Sequence, residues 1–378
     1  ERVLKRRSPG MAGFPFMKQA EAFRSSLPFI LLLAVFILPC PMSAAAKPRP
    51  AIAFVHLLLP PGGEPHASPA GWIGSLDRAR DTLESLRIPT IVSSVPPGNA
   101  EDLNELSEMD PEVLITTSPL LYAAACDVAK RSPNTVFFAC TDETVHDNMS
   151  GFQARTYEAH YLAGLIAGAL SEDGVIGYLA NDPYQSKASR LRNANAFTLG
   201  AQKSKAAIRV LYAPGNAPDE ELKTLIAAGA DIVDLERALP SLVERLREHS
   251  VRYGGTAGRA VDPLCLAAPE WEWSNAFGDL LTQVRFGIWR PRNVSYGIKE
   301  GVVGLSPFGP AVPETVRVRV REAKEDIRNG VSPFEGPVRD VSGALRIAEG
   351  SVPDDATLRG MDWRVQGLEP LPLTPDGL

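Results

Sequence analysis

Three tryptophan residues carry the aromatic chemistry that a binding site for a flat ring would need. Trp271 and Trp273 are one residue apart, so in an extended strand both side chains would point to the same side. Two indole rings on one side would offer a surface on which a planar ring stacks. Trp72 follows Gly71 just beyond the first predicted strand, where a loop would face a cleft. The alternative interpretation for all three tryptophans is ordinary packing in the core.

Ser118, Tyr157 and Glu158 are the polar candidates for contacts to the same small molecule. Ser118 ends the third predicted strand, where its hydroxyl or its backbone could meet a polar group. Tyr157 and Glu158 open a predicted helix, and a carboxylate in a water-excluded site accepts strong hydrogen bonds from a base or a ribose. An acidic residue at a helix amino terminus is also favourable by itself, so Glu158 has a structural alternative.

The sequence lacks the motifs that usually carry catalysis or cofactor binding. It contains no G-x-G-x-x-G after a strand, no G-x-x-x-x-G-K-[ST], no H-E-x-x-H and no G-x-S-x-G. Its five histidines are not spaced as metal ligands, and no nucleophile–base pair stands out. We therefore expect a binding protein that is not an enzyme and that needs neither a cofactor nor a metal.

Residues 1–46 have the pattern of an export signal. A charged stretch with Lys18 and Arg24 precedes the apolar run 27–38, and three alanines ending at Ala46 follow it. The run has about 12 residues, which is too short for a helix that spans about 30 Å of hydrocarbon. Cleavage near Ala46 is the prediction, and an uncleaved N-terminal anchor is the alternative.

Cys40 raises a second alternative, which is attachment of a lipid. Bacterial lipid attachment requires a small residue just before the cysteine, and here that residue is Pro39. Simple cleavage is therefore favoured over lipid anchoring. The mature protein is expected in the periplasm or at the outer face of the cytoplasmic membrane.

The charge and the cysteines restrict the partners and the redox chemistry. The chain has a net charge of −6, and residues 1–46 carry six basic and two acidic residues, which leaves −10 on the remainder. An acidic body without a basic stripe argues against nucleic acid as a partner. The remainder contains Cys126, Cys140 and Cys265, an odd number that excludes complete pairing. One disulfide is possible, and buried free thiols are favoured.

The elements that would position the candidate residues alternate between strands and helices. Apolar runs predict strands at residues 51–59, 90–95, 113–117, 135–139, 174–180, 208–212 and 231–233. Helical patterns predict helices at residues 72–87, 99–109, 120–131, 157–170, 186–204, 219–228 and 239–249. This alternation with short connections predicts an α/β fold of parallel βαβ units in two successive sets. Small residues in the helix at 157–170 suit close packing against a sheet.

Two sets of βαβ units predict two lobes with a cleft between them. Ligands of open parallel sheets gather at the carboxyl ends of the strands, and clefts between domains are preferred small-molecule sites. We predict an N-terminal lobe of residues 47–156 plus about 268–295. The C-terminal lobe would then contain residues 157–267 plus about 296–378. A two-domain α/β enzyme is the alternative architecture.

Three stretches carry a resemblance to a known family. The first is ARTYEAHYLAGLIAG at 154–168, which continues into GVIGY at 174–178 and NAFTLG at 195–200. The second is AGADIV at 228–233, and the third and most specific is YGIKEGVVGLSPFGPAVP at 296–313, followed by PFEGPVRD at 333–340 and Met361-Asp362-Trp363. With these stretches the chain resembles the basic membrane protein family, the purine-nucleoside-receptor-like substrate-binding proteins of ABC importers.

The resemblance implies a fold and a function. The fold is the two-lobed type I periplasmic-binding-protein-like fold, in which each lobe is a parallel sheet flanked by helices. The function is delivery of a nucleoside, a nucleobase or a similar flat heterocycle to an ABC permease in the membrane, by a monomer. A ligand-sensing or interaction protein of the same fold is the alternative, and a periplasmic enzyme is the least favoured hypothesis.

The binding residues follow the family pattern unevenly. The family often has a Gly-Trp pair like Gly71-Trp72 and an aromatic pair like Trp271 and Trp273. Its members usually also have a loop that supplies an acid to the ligand, whereas the corresponding segment 254–262 reads GGTAGRAVD here. Asp262 is the acid that could take that place, and the altered loop leaves purine specificity open.

Overall fold

A computed structural model describes residues 49–58, 71–96, 99–141, 143, 146–182, 185–256 and 262–372. The predicted export signal and Cys40 lie outside these residues. The first strands in chain order are β1 (Ile52–Leu57), β2 (Thr90–Val95), β3 (Val113–Thr116), β4 (Val136–Cys140), β5 (Met149–Ala154), β6 (Val175–Leu179), β7 (Arg209–Ala213) and β8 (Ile232–Arg237). The later strands are β9 (Arg252–Thr256), β10 (Pro269–Trp271), β11 (Asn293–Tyr296), β12 (Val303–Leu305), β13 (Val338–Arg339), β14 (Leu345–Ile347) and β15 (Leu368–Pro370).

Ten α-helices belong to the described part of the chain, with one short 3-10 helix at Pro119–Leu121. The first five are α1 (Trp72–Ser85), α2 (Ala100–Glu108), α3 (Tyr122–Ala129), α4 (Thr156–Leu170) and α5 (Lys187–Ser204). The other five are α6 (Pro218–Ala227), α7 (Pro240–Glu248), α8 (Ser274–Arg285), α9 (Glu314–Arg328) and α10 (Asp355–Arg359). Among these residues no helix combines the length and apolarity that crossing a membrane requires.

The first sheet is six parallel strands in the order β11-β5-β4-β3-β1-β2. Its interior strand β1 reads IAFVHL and is buried along its whole length, as expected for a parallel sheet covered on both faces. Ile52 and Phe54 pack towards α1 and α8, while Ala53 and Val55 pack towards α2 and α3. The sheet is therefore the middle layer of a three-layer lobe.

The second sheet is five parallel strands in the order β15-β7-β6-β8-β9. One face packs on α6 and α7, and the other face packs on α4 and α5. Together the two sheets and their flanking helices confirm the predicted α/β fold class.

Glycines bring α4 and α5 into close backbone contact. A Cβ atom on Gly164 would lie 2.0 Å from the carbonyl oxygen of Phe197, and one on Gly168 would lie 2.2 Å from that of Ala201. On the other helix, a Cβ on Gly200 would lie 2.1 Å from the Tyr161 carbonyl oxygen. Gly164 and Gly168 of α4 therefore serve a helix–helix contact, because α5 lies directly against them, while Ala163 and Ala167 face Ile232 and Asp234 of β8.

The chain crosses repeatedly between the two sheets. It leaves the first sheet after β5 at Arg155, and it returns after β9 through the antiparallel pair β10–β12. The strand β11 then joins the edge of the first sheet beside β5, and β15 joins the edge of the second sheet beside β7. Each sheet is thus completed by a strand from the C-terminal third of the chain.

The predicted strands and helices agree with the structure over most of the described residues up to residue 250. The bounds of β2 are those predicted, and the predicted helix at 120–131 is a 3-10 turn followed by α3. The strand β5, with the sequence MSGFQA, was missed because its residues lack an apolar run. No disulfide joins Cys126, Cys140 and Cys265 to one another, and Cys126 and Cys265 are buried, so the possible disulfide is not formed.

Candidate ligand-binding site

A polar group lies at the carboxyl edge of the first sheet. The imidazole of His56, on β1, has Nδ1 3.1 Å from the Thr117 hydroxyl and Nε2 3.3 Å from the Asp77 carboxylate. The Thr117 hydroxyl also donates a 3.1 Å hydrogen bond to the Val55 carbonyl oxygen. His56 is buried, whereas the Asp77 side chain is 40% exposed. The edge therefore holds a fixed imidazole beside a carboxylate that solvent can reach.

The sequence reasoning missed His56, Asp77 and Thr117. A signal existed for two of them, since His56 interrupts an apolar strand and Thr117 directly follows another. Polar residues at the carboxyl ends of buried parallel strands are where ligands of such sheets gather. Asp77 carries no comparable signal, because only the path of α1 places its carboxylate beside His56.

Trp72 and Ser118 are the two predicted binding residues that lie at this edge. Trp72 begins α1, is partly buried, and donates a 2.8 Å hydrogen bond from its indole Nε1 to the Thr117 carbonyl oxygen. Ser118 is buried, and its hydroxyl accepts a 3.3 Å hydrogen bond from the Leu120 amide at the start of the 3-10 helix. A hydroxyl that accepts one hydrogen bond can still donate its own proton.

The other two predicted tryptophans lie behind Trp72 in an aromatic cluster. The ring centroid of Trp72 is 5.3 Å from that of Trp273 and 5.8 Å from that of Trp271, both nearly perpendicular. Trp273 stacks on Phe277 of α8 at 5.5 Å and is completely buried. Trp271 is 6% exposed, and its Nε1 donates to the Thr156 hydroxyl at 3.3 Å. In this conformation neither ring has a free face on which a ligand could stack.

The prediction that Trp271 and Trp273 lie on one extended strand is wrong. The strand β10 ends at Trp271, and Trp273 has helical backbone angles as the residue that caps α8. The two rings converge because both pack against Trp72 and not because they share a strand face. Their binding roles stay a prediction, and their burial favours Trp72 as the ring that meets a ligand.

Tyr157 and Glu158 lie at the first crossover between the sheets, directly after Thr156, which Trp271 contacts. The ring of Tyr157 is 5.4 Å from that of Phe334, with the Arg192 guanidinium 5.7 Å from its centroid. The Glu158 carboxylate accepts a 2.6 Å hydrogen bond from the Ile298 amide. Burial raises the pKa of Glu158 to about 7. This carboxylate therefore joins two crossing segments of the chain.

Ion pairs surround Glu158 at the same crossover. Arg155 donates to both oxygens of Asp355, at 3.0 and 2.8 Å, and lies 3.4 Å from the Glu300 carboxylate. Glu300 in turn accepts a 2.7 Å hydrogen bond from the Gly297 amide. A Cβ on Gly297 would lie 2.5 Å from the Glu158 carboxylate, so any larger residue there would have to displace that carboxylate. These contacts fix the segments about which two lobes would pivot.

The second sheet carries a buried acid at its own carboxyl edge. Glu236, near the end of β8, accepts hydrogen bonds from the Tyr178 hydroxyl at 3.1 Å and the Asn193 amide at 3.3 Å. The backbone amide of Asp182 lies 3.4 Å from its second oxygen. Burial raises the pKa of Glu236 to about 7. The sequence analysis did not single out Glu236.

Asp234 extends this group into the interior of the second lobe. One of its carboxylate oxygens lies 3.1 Å from Nδ1 of His160, and both side chains are buried. The other oxygen has no hydrogen-bond partner among the described residues and faces Gly254, where a Cβ would lie 2.3 Å away. The side chains of Asp234 and Glu236 face the same side of β8 because they are two residues apart.

Asp262, the acid that could take the place of the family's acid, forms its contacts within the chain. Its carboxylate accepts hydrogen bonds from the Tyr253 hydroxyl at 2.8 Å, from Arg247 at 2.6 Å and from the Leu264 amide at 2.9 Å. Despite partial burial, these contacts hold the pKa of Asp262 below its usual value. Asp262 therefore stabilises the end of α7, and residues 257–261 of the same loop lie outside the described residues.

Comparison with known proteins shows which proteins this chain resembles. The family model described as "ABC transporter substrate-binding protein PnrA-like" matches residues 88–228. A purine-binding protein of Brucella abortus (strain 2308) is 29% identical over 344 residues, which cover 86% of this chain and 95% of that protein. A protein of Haloferax volcanii, provisionally named an ABC transporter glucose-binding protein, is 27% identical over 75% of this chain and 78% of its own length.

A solved structure supports the fold. The solute-binding protein of an ABC transporter system from Conexibacter woesei superposes with a TM-score of 0.59 at 17% identity, over 74% of this chain and 97% of that one. The two parallel sheets described above are thus the two lobes of a type I periplasmic-binding-protein-like fold. The family match confirms the resemblance to the basic membrane protein family, and the chain is a relative of its PnrA-like ABC transporter substrate-binding proteins.

Proposed function

We propose that the protein binds a purine base or nucleoside outside the cytoplasm and delivers it to an ABC permease. The observation that carries this proposal is the match to a purine-binding protein along 86% of the chain. Proteins of this family bind substrate for transport, which agrees with a role without catalysis. The predicted export signal supports a location in the periplasm or at the outer face of the cytoplasmic membrane.

The carboxyl edge of the first sheet supports the ligand class. Trp72 is partly buried and could present an indole face to a planar ring. Next to it, the exposed Asp77 carboxylate can accept hydrogen bonds from a purine amino group or a ribose hydroxyl. Ser118 can donate a hydroxyl proton to a ring nitrogen. One aromatic face with a few convergent polar groups is the usual composition of a small-molecule site.

The edge of the second sheet would close over the other side of the ligand. The Asn181 side chain bonds the backbone of Arg237 through both of its amide atoms, at 2.8 and 2.9 Å. This double hydrogen bond fixes the segment that follows Glu236 at the end of β8. A rigid edge is what a lobe needs when it moves as one body towards a ligand.

We also propose the division into lobes of residues 47–156 plus about 268–295 and residues 157–267 plus about 296–378. The pairing of β11 with β5 and the packing of α8 beside α1 support the assignment of the first lobe. The pairing of β15 with β7 supports the assignment of the last residues to the second lobe. Such a chain would bind its ligand as a monomer, and its acidic charge supports no role for nucleic acid.

A sugar is the second candidate ligand. It is favoured by the Haloferax volcanii relative, whose name gives glucose as the ligand. Stacking of an indole against the apolar face of a sugar ring would use the same Trp72. The two ligand classes differ in their polar groups, so direct binding measurements separate them.

Thermal unfolding of the chain from Lys47 with purine bases, purine nucleosides, glucose and ribose tests the proposal. A ligand at 100 times its Kd adds about 2.7 kcal/mol of stability, which raises Tm by several degrees in a protein of this size. We expect a purine to raise Tm and glucose to leave it unchanged. A response to glucose alone would replace the purine by a sugar, and no response to any solute would contradict a binding role.

Replacement of Trp72 tests the site with the purine that gives the largest shift. Trp72→Ala should weaken binding at least about tenfold, as for loss of an aromatic anchor, whereas Trp72→Phe should retain most of the affinity. Titration calorimetry measures both, and circular dichroism checks that each variant is folded. Trp363→Ala is the matched control, because Trp363 is also partly buried and lies far along the chain in the second lobe. Unchanged affinity in Trp72→Ala would remove Trp72 from the site.

A further inference from the structure

We infer that the amino edge of the first sheet docks on an anionic phospholipid bilayer, with residues 285–292 as the main contact. This segment reads RFGIWRPR and connects α8 to β11. It lies at the end of the lobe opposite to the carboxyl edge, so it is separate from the proposed ligand site. The inference does not depend on which ligand the protein binds.

Large apolar side chains protrude from this edge. Phe286 is 76% exposed, Leu86 is 67% exposed and Ile288 is 64% exposed, and these are the three highest values among the large apolar residues described. Single exposed apolar residues are common on soluble proteins, but a group of them marks an interaction surface. Trp289 is partly buried and packs against the core, so it anchors the segment from which Phe286 and Ile288 project.

The helices α1 and α8 bring these residues to one edge. They begin side by side, where the Trp72 and Trp273 rings are 5.3 Å apart, and they pack against each other. Leu86 caps the carboxyl end of α1, and Phe286 caps the carboxyl end of α8. Arg285 pairs with Glu112 at 2.7 Å, and Glu112 directly precedes β3. Both helices therefore end where the strands of the first sheet begin.

Positive charge flanks the protruding side chains. Arg290 and Arg292 are exposed, and neither forms an ion pair with a carboxylate of any residue that the structure describes. Arg290 donates to the Gly287 and Trp289 carbonyl oxygens, at 3.1 and 2.7 Å. These two guanidinium groups have no carboxylate partner among the described residues and lie beside two apolar side chains. They stand out in a chain with a net charge of −6. Basic and apolar groups together are what binds an anionic lipid surface.

The chain enters the folded unit at this same edge. Arg49 pairs with Asp110, which lies just before β3, and β1 begins at Ile52. Residues upstream of Arg49, including the apolar run 27–38 and Cys40, are therefore joined to the lobe at its amino edge. Cys40 and Arg49 are nine positions apart, with eight residues between them, and a fully extended link of this length spans only about 30 Å. A protein held by either anchor would keep this edge close to the bilayer.

Co-sedimentation with vesicles tests the inference on the chain from Lys47, which contains all the described residues. The vesicles are phosphatidylcholine alone, or phosphatidylcholine and phosphatidylglycerol in equal parts. We expect binding to the anionic vesicles, little binding to the neutral ones, and loss of binding in high salt because screening weakens the attraction. The double variant Phe286→Asp/Ile288→Asp should lower the partition coefficient at least about tenfold. Arg290→Glu/Arg292→Glu should do the same at low salt.

Matched variants elsewhere separate a specific surface from general charge and apolarity. Val341→Asp/Val352→Asp replaces two other exposed apolar residues, and Arg319→Glu/Arg321→Glu reverses two exposed charges on α9. Neither should change binding more than about twofold. No binding to anionic vesicles, or equal losses in the control variants, would overturn the inference. Gel filtration adds a further test, since a dimer that Phe286→Asp/Ile288→Asp dissociates would assign the surface to a second copy of this chain.

Discussion

The two lobes are built on the same kind of sheet but fill the space beside it differently. In the first lobe, aromatic rings pack between the sheet and α8, with Phe138 stacked on Phe152 at 4.5 Å and Trp273 stacked on Phe277. In the second lobe, the space between β8 and α4 holds the buried carboxylates of Asp234 and Glu236. Aromatic packing has no charge to titrate, whereas buried carboxylates do. The lobes should therefore respond to different perturbations.

The largest expected effect comes from removal of Trp273 in the first lobe. Trp273→Ala takes out a completely buried ring that contacts Trp72, Phe152 and Phe277. Truncation of a large buried aromatic costs about 3–5 kcal/mol. The free energy of unfolding in urea should fall by this amount at every pH from 5 to 8. Trp273→Phe should lose much less, and a loss below about 1 kcal/mol in Trp273→Ala would mean that the ring is not part of the core.

The aromatic cluster also marks the limit of what the sequence could predict. The types of Trp72, Trp271 and Trp273 were enough to single them out as a group, and the structure does bring them together. Their roles could not be assigned from spacing, because Trp273 belongs to a helix start and not to a strand. Burial of a ring depends on neighbours such as Phe277, whose position follows from the path of the whole lobe.

The fold was more predictable than the polar network. Strands such as β1 are buried over their whole length and mostly apolar, so the alternation with helices was visible in the chain. The strand β5 was not, because MSGFQA becomes a strand through pairing with β4 and β11 on either side. Glu236 carried no signal at all, since its partners Tyr178 and Asn193 come from distant segments that meet only in the fold.

The second expected effect is pH dependence from the buried acids. Burial raises the pKa of Glu236 from its ordinary value of 4.5 to about 7, so between these pH values the folded protein keeps a proton that the unfolded chain has released. The contribution of Glu236 to stability is therefore present in full below about pH 4.5, and it is lost as the pH rises from about 4.5 to about 7. Each unit of such a shift corresponds to about 1.4 kcal/mol, so the change is about 3–4 kcal/mol.

Glu236→Gln isolates this contribution. The amide cannot titrate but can still accept the Tyr178 hydroxyl, so urea unfolding at pH 5 and at pH 7 should differ less in the variant. The pKa of Glu158 is also raised to about 7 by burial, so part of the slope should remain. Glu158→Gln serves as the comparison. In the double variant, the free energy of unfolding should depend least on pH between pH 5 and pH 7. An unchanged slope in Glu236→Gln would mean that its carboxylate is ionised in the folded state.

The smallest expected effect is at an exposed ion pair of the same lobe, and it has the opposite sign. Arg209 on β7 pairs with Glu369 on β15 at 2.7 Å, and these side chains are 56% and 39% exposed. The hydrogen bond from Arg209 lowers the pKa of Glu369, so the stabilisation from this pair is present above the ordinary pKa of 4.5 and is lost as pH falls through the lowered pKa. Glu369→Gln should cost less than about 1 kcal/mol at pH 7, because solvent screens exposed pairs. Urea unfolding with and without added salt measures this, since salt should shrink the small loss further. A loss well above about 1 kcal/mol in Glu369→Gln would mean that the β7–β15 pairing depends on this one pair. Exposure would then not separate the two kinds of carboxylate in this lobe.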